Sequence, residues 1–509
     1  MSPTRREFLQ QSGVALAATT LLSSTMNAQN SPSPPGADLC FATARDLARM
    51  IREKTVSARE VMAAHLAQIA RINPKINAIV AKLDDDKCLA LADEADRRLA
   101  RGEPVGPLHG LPTAIKDLDP AVGFPFTSGS PIYRNRMPTE DDVVVERIRR
   151  AGAILIGKTN VPEFGLGSHT YNKVYGTTLN PYDPTRSAGG SSGGAAAALA
   201  TGLLPVANGS DTGGSLRNPA NFNNVVGLRP TVGLVPMAPT SLPFVGLGVK
   251  GPLGRNVADT ALLLSVMAGA DPRDPGCYPS DPSIFVQPLD REVRGVRGVR
   301  VAWCPDLGGL PLDPEVRRVL AARRETFERL GCIVEDACPD LSGVDEVFLT
   351  LRAFRSHTTL APLLDAHRAE MKPEAVREAE LGAKLTGPEV SRAMMGQSEI
   401  MERLRRFQEK YEFLLCAVNQ VPPFDAAIDW PREVAGVKME HYIAWMQSAY
   451  WISATHHPAI SVPAGFTTGG LPVGIQIVGR YRADFEVLRM AHQFEQATGI
   501  GRQRPKIAA

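Results

Sequence analysis

Hydrophobic positions along this chain alternate between two periods. In residues 42–54, Leu47, Met50 and Ile51 fall on one helical face. Ser57-x-x-Glu60 follows, a capping box that should open a second helix. Its apolar set is Val61, Met62, Leu66 and Ile69, and Asn73-Pro74 is expected to end it. Residues 76–80 read as a short strand and 84–100 as a third helix. Residues 111–115 read as a strand running inward. A helix over 141–150, a turn at Ala151-Gly152 and a strand over 154–156 come next. Small residues predict a helix over 195–200, before an apolar run at 203–206. A helix at 258–268, a strand at 299–304, a helix at 315–330 and a strand at 332–335 follow. Residues 343–415 are charged and mostly helical in pattern. Two strands, 458–466 and 470–479, precede a closing helix over 485–498. Strands alternating with helices predict an α/β protein.

Composition narrows the partners. Of 509 residues, 44% are hydrophobic and 22% charged, an ordinary globular balance that allows a substantial core. The 56 basic and 54 acidic residues leave a net charge of +2, which gives no footprint for nucleic acid or an anionic membrane. Residues 1–28 read differently. Arg5-Arg6, a short apolar run over 13–22 and Ala28 have the form of a twin-arginine export signal. That predicts a mature chain from about Gln29, a loose lead-in over 29–40 and a periplasmic or secreted location. The apolar run is too short to span a membrane. Seven cysteines are present: Cys40, Cys88, Cys277, Cys304, Cys332, Cys338 and Cys416. A chain folded before export meets a reducing compartment first, so these are expected to be buried thiols. No Cys/His spacing has the form of a zinc site.

The candidate chemistry lies between Ser187 and Arg217, SAGGSSGGAAAALATGLLPVANGSDTGGSLR. Three short motifs in or near it are weak alone. Gly189-x-Ser191-x-Gly193 has the nucleophile-elbow form, but residues 184–188 make a poor strand before it. Asp211-Thr212-Gly213 resembles an aspartic-protease loop without a second copy. Gly246-x-Gly248-x-x-Gly251 fits a dinucleotide loop, but Pro252 follows at once. Lys116, at the end of the strand over 111–115, is an unusual residue for such a place. By itself it fits a lysine snorkelling to water equally well. The pair His456-His457 reads first as an ordinary strand-entry pair, with a substrate-contacting or pH-sensitive role as the alternative.

In combination the motifs say more. GGSSGG, then GSDTGGSLR with Ser215 placed 24 residues after Ser191, and GLPTAIKD ending in Lys116-Asp117 upstream, together resemble the amidase signature family. The resemblance continues through Gly157-Lys158-Thr159-Asn160, VVGLRP at 225–230 and GPLGR at 251–255, and covers about residues 41–505 as one domain. It implies a mixed central sheet covered by helices on both faces. It implies hydrolysis of an amide C–N bond, with Ser215 as nucleophile, Ser191 as bridging serine after a cis peptide, and Lys116 as base. Lys158 is a second candidate base, ranked below Lys116. Lysine acts as a base only when neutral, so burial must lower its pKa. Thr212, Gly213 and Gly214 are expected to donate N–H groups to the oxyanion, with Asp211 and Arg217 bracing that loop. The resemblance implies no cofactor and no metal. It implies a small amide substrate, and it leaves a homodimer open. Residues 343–450, where it is weakest, are expected to shape the pocket, although no charge cluster there points to a substrate group. An esterase on the same triad and a silent binding protein on the same scaffold are the alternative readings. The family's tRNA-linked amidotransferase members are disfavoured by the export signal.

Overall fold

The computed structural model describes residues 37–290 and 295–508. The twin-arginine stretch and most of the lead-in lie outside the described residues. Two sheets organise the rest. The smaller has three strands: β1 (Ile79–Val80), β2 (Pro112–Lys116) and β3 (Ile154–Thr159), in the order β1-β3-β2. The larger has eight: β4 (Val206–Asp211), β5 (Val226–Arg229), β6 (Val249–Gly254), β7 (Arg300–Trp303), β8 (Ile333–Asp336), β9 (Phe413–Ala417), β10 (Ala459–Phe466) and β11 (Pro472–Gly479). Their order is β8-β7-β9-β11-β10-β5-β6-β4. The strands β7, β8 and β9 pair in parallel, and the remaining neighbours are antiparallel. The sheet is therefore mixed, and the fold is α/β.

Both faces of the large sheet are buried, and the strand period shows why. Phe413, Leu415 and Ala417 join one apolar cluster, whereas Leu414 and Cys416 join the other. Val301 and Ile477 likewise face the first cluster, with Ala302 and Val478 facing the second. Side chains alternate across a strand, so a continuous apolar run serves two layers at once. Four helices reach the site described below. They are α1 (Gly193–Ala200), α2 (Arg217–Phe222), α3 (Val344–His367) and α4 (Gln447–Ala454). Every residue of α1 is buried, which its alanine and glycine content permits.

Several local expectations need correcting. The capping box at Ser57 and Glu60 forms, but its helix passes through Pro74 and ends at Ile76. Pro74 sits in the last turn, and the Asn73 side chain accepts from the N–H groups of Ala78 and Ile79 instead of ending the helix. The helix expected over 315–330 is two pieces, Pro314–Ala321 and Arg324–Arg329. Gly251 lies within β6, paired to β4 and β5, so the 246–251 motif makes no dinucleotide loop. Cys304 and Cys338 are a disulfide with Cα atoms 5.3 Å apart. They follow the ends of the paired strands β7 and β8, which sets their spacing within the range a disulfide requires. The other five cysteines are free.

Candidate active site

The two sheets meet along β2 and β4. Thr113 Oγ1 of β2 donates to Val206 O, and Lys116 N donates to Asn208 Oδ1 of β4. This seam buries Lys116 completely. Its ammonium donates to Ser191 Oγ at 2.8 Å, Ser192 Oγ at 2.8 Å, Ser210 Oγ at 3.0 Å and Ser210 O at 3.2 Å. Burial pushes its pKa down to about 7, against the opposing pull of Asp119 and Asp211. A substantial neutral fraction is thus present near pH 7, as a general base requires.

Ser191 stands in the turn that feeds α1, and the Gly190–Ser191 peptide is cis, as the resemblance implied. The turn is held from outside. Ser168 Oγ donates to Gly190 O, and Thr170 Oγ1 donates to Gly189 O at 2.8 Å. A Cβ on Gly193 would lie 2.3 Å from Thr170 Oγ1, so only glycine lets the turn seat against that strap. No strand precedes Ser191, which removes the elbow reading.

Ser215 lies in the loop between β4 and α2, and Asp211 builds that loop. Its carboxylate accepts from Gly214 N at 2.8 Å and Leu216 N at 3.1 Å, and from Arg217 through Nε and Nη2 at 3.0 and 2.9 Å. Arg229 adds a fourth partner from β5, at 3.2 Å. Burial alone would raise the Asp211 carboxyl, but the Arg217 and Arg229 guanidiniums outweigh it and hold it well below the usual range. Arg217 also reaches Ala449 O and Ser453 Oγ of α4. The loop is therefore tied to β5, α2 and α4 together.

This geometry changes one expected role. The Gly214 N–H is directed at Asp211, so it does not serve the oxyanion. Thr212, Gly213 and Ser215 line the cavity, and Gly214 is absent from its wall. Gly214 is instead a turn residue at φ 114°, with Asn218 and Ala449 packed where a side chain would go.

The cavity has a volume of about 390 Å³. Ser191, Ser210, Thr212, Gly213 and Ser215 form its reactive floor. Phe126, Tyr133, Phe164, Leu166, Leu360 and Met446 give it an apolar share suited to an organic group. One wall comes from α3, which contributes Arg352, Arg355, Ser356 and Thr359. Two cations thus stand in a segment whose sequence pointed to no charged substrate group.

Lys158 is not a second base at this cavity. Its ammonium donates to Asp119 O at 2.5 Å and pairs with Asp117 at 3.7 Å. His456 and His457 are also excluded. Burial pushes His456 to about 3 and His457 to about 4, so both are neutral, and neither lines the cavity. Sequence reasoning missed Asp119, Ser210 and Arg229. The VVGLRP motif contained Arg229, but nothing in it linked that arginine to Asp211 across the sheet.

Comparisons with known proteins identify the family. The sequence profile described as Amidase matches residues 60–488. An acylamidase of Rhodococcus erythropolis is 36% identical over 471 residues, covering 92% of this chain and 98% of that protein. A glutamyl-tRNA(Gln) amidotransferase subunit from Thermosynechococcus vestitus is 33% identical over 488 residues, covering 91% of this chain and 99% of that protein. Among solved structures, a bacterial aryl acylamidase of the amidase signature enzymes superposes with a TM-score of 0.84 at 28% identity, covering 91% of this chain and 99% of that one. The matched span runs through both glycine–serine loops and the strand ending in Lys116: the chain belongs to the amidase signature family and is an enzyme that hydrolyses amide C–N bonds.

Proposed function

We propose that Ser215 attacks the amide carbonyl, that Ser191 relays its proton, and that Lys116 receives it. The observation carrying this reading is the 2.8 Å contact from Lys116 Nζ to Ser191 Oγ, beside a cavity that Ser191 and Ser215 share. As Ser215 Oγ bonds to the carbonyl carbon, its proton passes to Ser191 while the Ser191 proton passes to neutral Lys116. The oxyanion accepts from backbone N–H groups of the Thr212–Ser215 loop, with Thr212, Gly213 and Ser215 as candidate donors and Gly214 spent on Asp211. Removing one such donor typically costs about 3 kcal/mol in the barrier. Collapse breaks the C–N bond, and the protonated Lys116 returns a proton through Ser191 to the leaving amine. Water then hydrolyses the Ser215 ester by the same route in reverse.

The substrate is a small organic amide. The apolar share of the cavity wall supports this, as do the acylamidase and aryl acylamidase relatives. Arg5-Arg6 and the apolar run after it support export by the twin-arginine route to the periplasm. The Cys304–Cys338 disulfide suits an oxidising compartment. That location separates this chain from the amidotransferase relatives it also resembles. Among the described residues no helix is long and apolar enough to cross a membrane.

A fluorophosphonate probe followed by peptide mapping tests the assignment. The expected adduct is on Ser215, absent in Ser215→Ala. An adduct on Ser191 would overturn it.

A further inference from the structure

Arg355 projects from α3 into the same cavity as Ser191 and Ser215. The other charged side chains lining the cavity are compensated. Lys250 sits between Asp142 and Asp119, the latter at 3.2 Å. Arg352 donates to the Tyr442 hydroxyl and pairs with Glu378 at 3.4 Å. Arg229, nearby on the Asp211 side, is paired with Asp211. Among the described residues the Arg355 guanidinium has neither an ion pair nor a hydrogen bond. Its charged neighbours are like-charged: Arg352 adds to burial in lowering the Arg355 pKa, and Arg355 in turn helps to lower that of Arg229.

The Arg355 side chain is half-buried, so its guanidinium stays open to the cavity, and no carboxylate of the described residues pairs with it there. The surroundings also make room for it. A Cβ on Gly248 would lie 2.4 Å from Arg355 Nη1 and 3.2 Å from Thr212 Oγ1. The bare backbone at Gly248 therefore seats the guanidinium, and the same point is flanked by the hydroxyl of Thr212. Thr212 is next to Gly213 in the loop that carries Ser215. A planar fork of donors placed there matches a carboxylate, which it can hold in a bidentate pair.

We propose that Arg355 is a specificity residue that binds a carboxylate on the substrate, so that the preferred substrate is an amide carrying an anionic group close to the scissile carbonyl. The proposal rests on Ser215 as the reacting atom. It narrows the substrate class from small organic amides in general to anionic ones. The carboxylate lies beside the Thr212 hydroxyl, with Lys250 already neutralised by its own two acids and unavailable to compete for it.

Two matched substrate pairs test this on the full-length enzyme. Glutaric acid monoanilide against pentananilide places the charge on the acyl side. 4-Acetamidobenzoate against acetanilide places it on the amine side. The expectation is a kcat/KM preference of about tenfold or more for the charged member of one pair, carried mainly by KM. Arg355→Gln should abolish that preference. Arg355→Glu should reverse it, and should favour a 5-aminopentananilide over pentananilide. No preference in either pair, or a preference that survives in Arg355→Gln, would overturn the proposal. Protection supplies a readout independent of turnover. Glutarate should slow fluorophosphonate labelling of Ser215 in the wild type and not in Arg355→Gln, and equal labelling rates in the wild type with and without glutarate would count against the site. Absence of any labelling would instead undermine the nucleophile assignment, so the two failures are distinguishable.

Discussion

Lys116 and Lys158 lie on adjacent parallel strands, in registers where Ile115 pairs with Lys158 and Lys116 with Thr159. Both are fully buried, and burial lowers both from the ordinary lysine value. Their neighbours differ. Lys158 touches a carboxylate, Asp117, and a backbone carbonyl. Lys116 touches three hydroxyls and a carbonyl, and its nearest acids, Asp119 and Asp211, act on it only through space. A contacting carboxylate favours the cation and gives it a structural partner. Hydroxyls can exchange protons with the amine and leave it able to be neutral. Two lysines one register step apart thus divide into a brace and a base because of what each one meets.

The largest expected effect separates them by mutation. Lys116→Ala should lower kcat/KM at pH 7 on the order of 10³-fold, because the general base is gone. The deficit should shrink as pH rises and hydroxide substitutes. The wild type should show an acidic limb near pH 7, with activity gained as Lys116 loses its proton. Lys158→Met should act on stability instead, with a loss of about 3 kcal/mol because Asp117 is left buried without its cation. Turnover per folded molecule should stay within about threefold, since no reacting atom is touched. Active-site titration combined with denaturant unfolding reads both quantities. A Lys158→Met enzyme that folds and has lost its acidic limb would exchange the two roles.

A smaller effect should follow from Asp119→Asn, because the charge of Asp119 acts on both lysines but its backbone carbonyl meets only Lys158. Its carboxylate raises the Lys116 pKa, whereas its backbone carbonyl holds Lys158. Removing the charge should lower the Lys116 pKa further and move the acidic limb to lower pH by about half a unit to one unit. Activity at pH 6 should then rise severalfold, with little change at pH 8. Asn208 can still donate to the new amide oxygen, and Lys250 keeps Asp142. A limb that moves to higher pH would show that Asp119 does not act on Lys116 through charge.

The two lysines also mark where the sequence was legible. Their strands were readable from short apolar runs, and the glycine–serine loops from composition. Their ranking came from the motif resemblance, because a strand-end lysine alone fits a surface position equally well. What the pattern could not provide was pairing across the fold. Asp211 reaches Arg229 over 18 residues, and Lys116 reaches Ser210 over 94. Such contacts depend on how β2, β4, β5 and β6 are assembled, and no local period encodes that. Gly214 was misread for the same reason. Its place beside Ser215 suggested an oxyanion donor, but a carboxylate three residues earlier folds back onto its N–H. The Cys304–Cys338 bridge likewise became visible only when β7 and β8 were paired.

The smallest expected effect is that of Ser192→Ala, and set against Ser191→Ala it tests the relay itself. Lys116 Nζ lies 2.8 Å from Ser191 Oγ and 2.8 Å from Ser192 Oγ, so distance alone cannot say which serine carries the proton. Their positions differ. Ser191 lines the cavity with Ser215, whereas Ser192 is fully buried behind it and does not. Ser192 Oγ instead leans on Ser210 O, at 3.5 Å. Ser191→Ala should therefore break the path, with a loss on the order of 10²-fold or more in acylation. Ser192→Ala removes only one neutral acceptor worth about 1 kcal/mol, and Lys116 keeps its bonds to Ser191 and Ser210. Losing that acceptor favours the neutral amine, so the acidic limb should move slightly to lower pH and the rate at pH 8 should change by no more than a few-fold. Pre-steady-state acylation rates of the two variants, measured across pH, make the comparison. Equal losses would mean that the lysine needs both hydroxyls, and a larger loss in Ser192→Ala would transfer the relay to the serine behind the cavity wall.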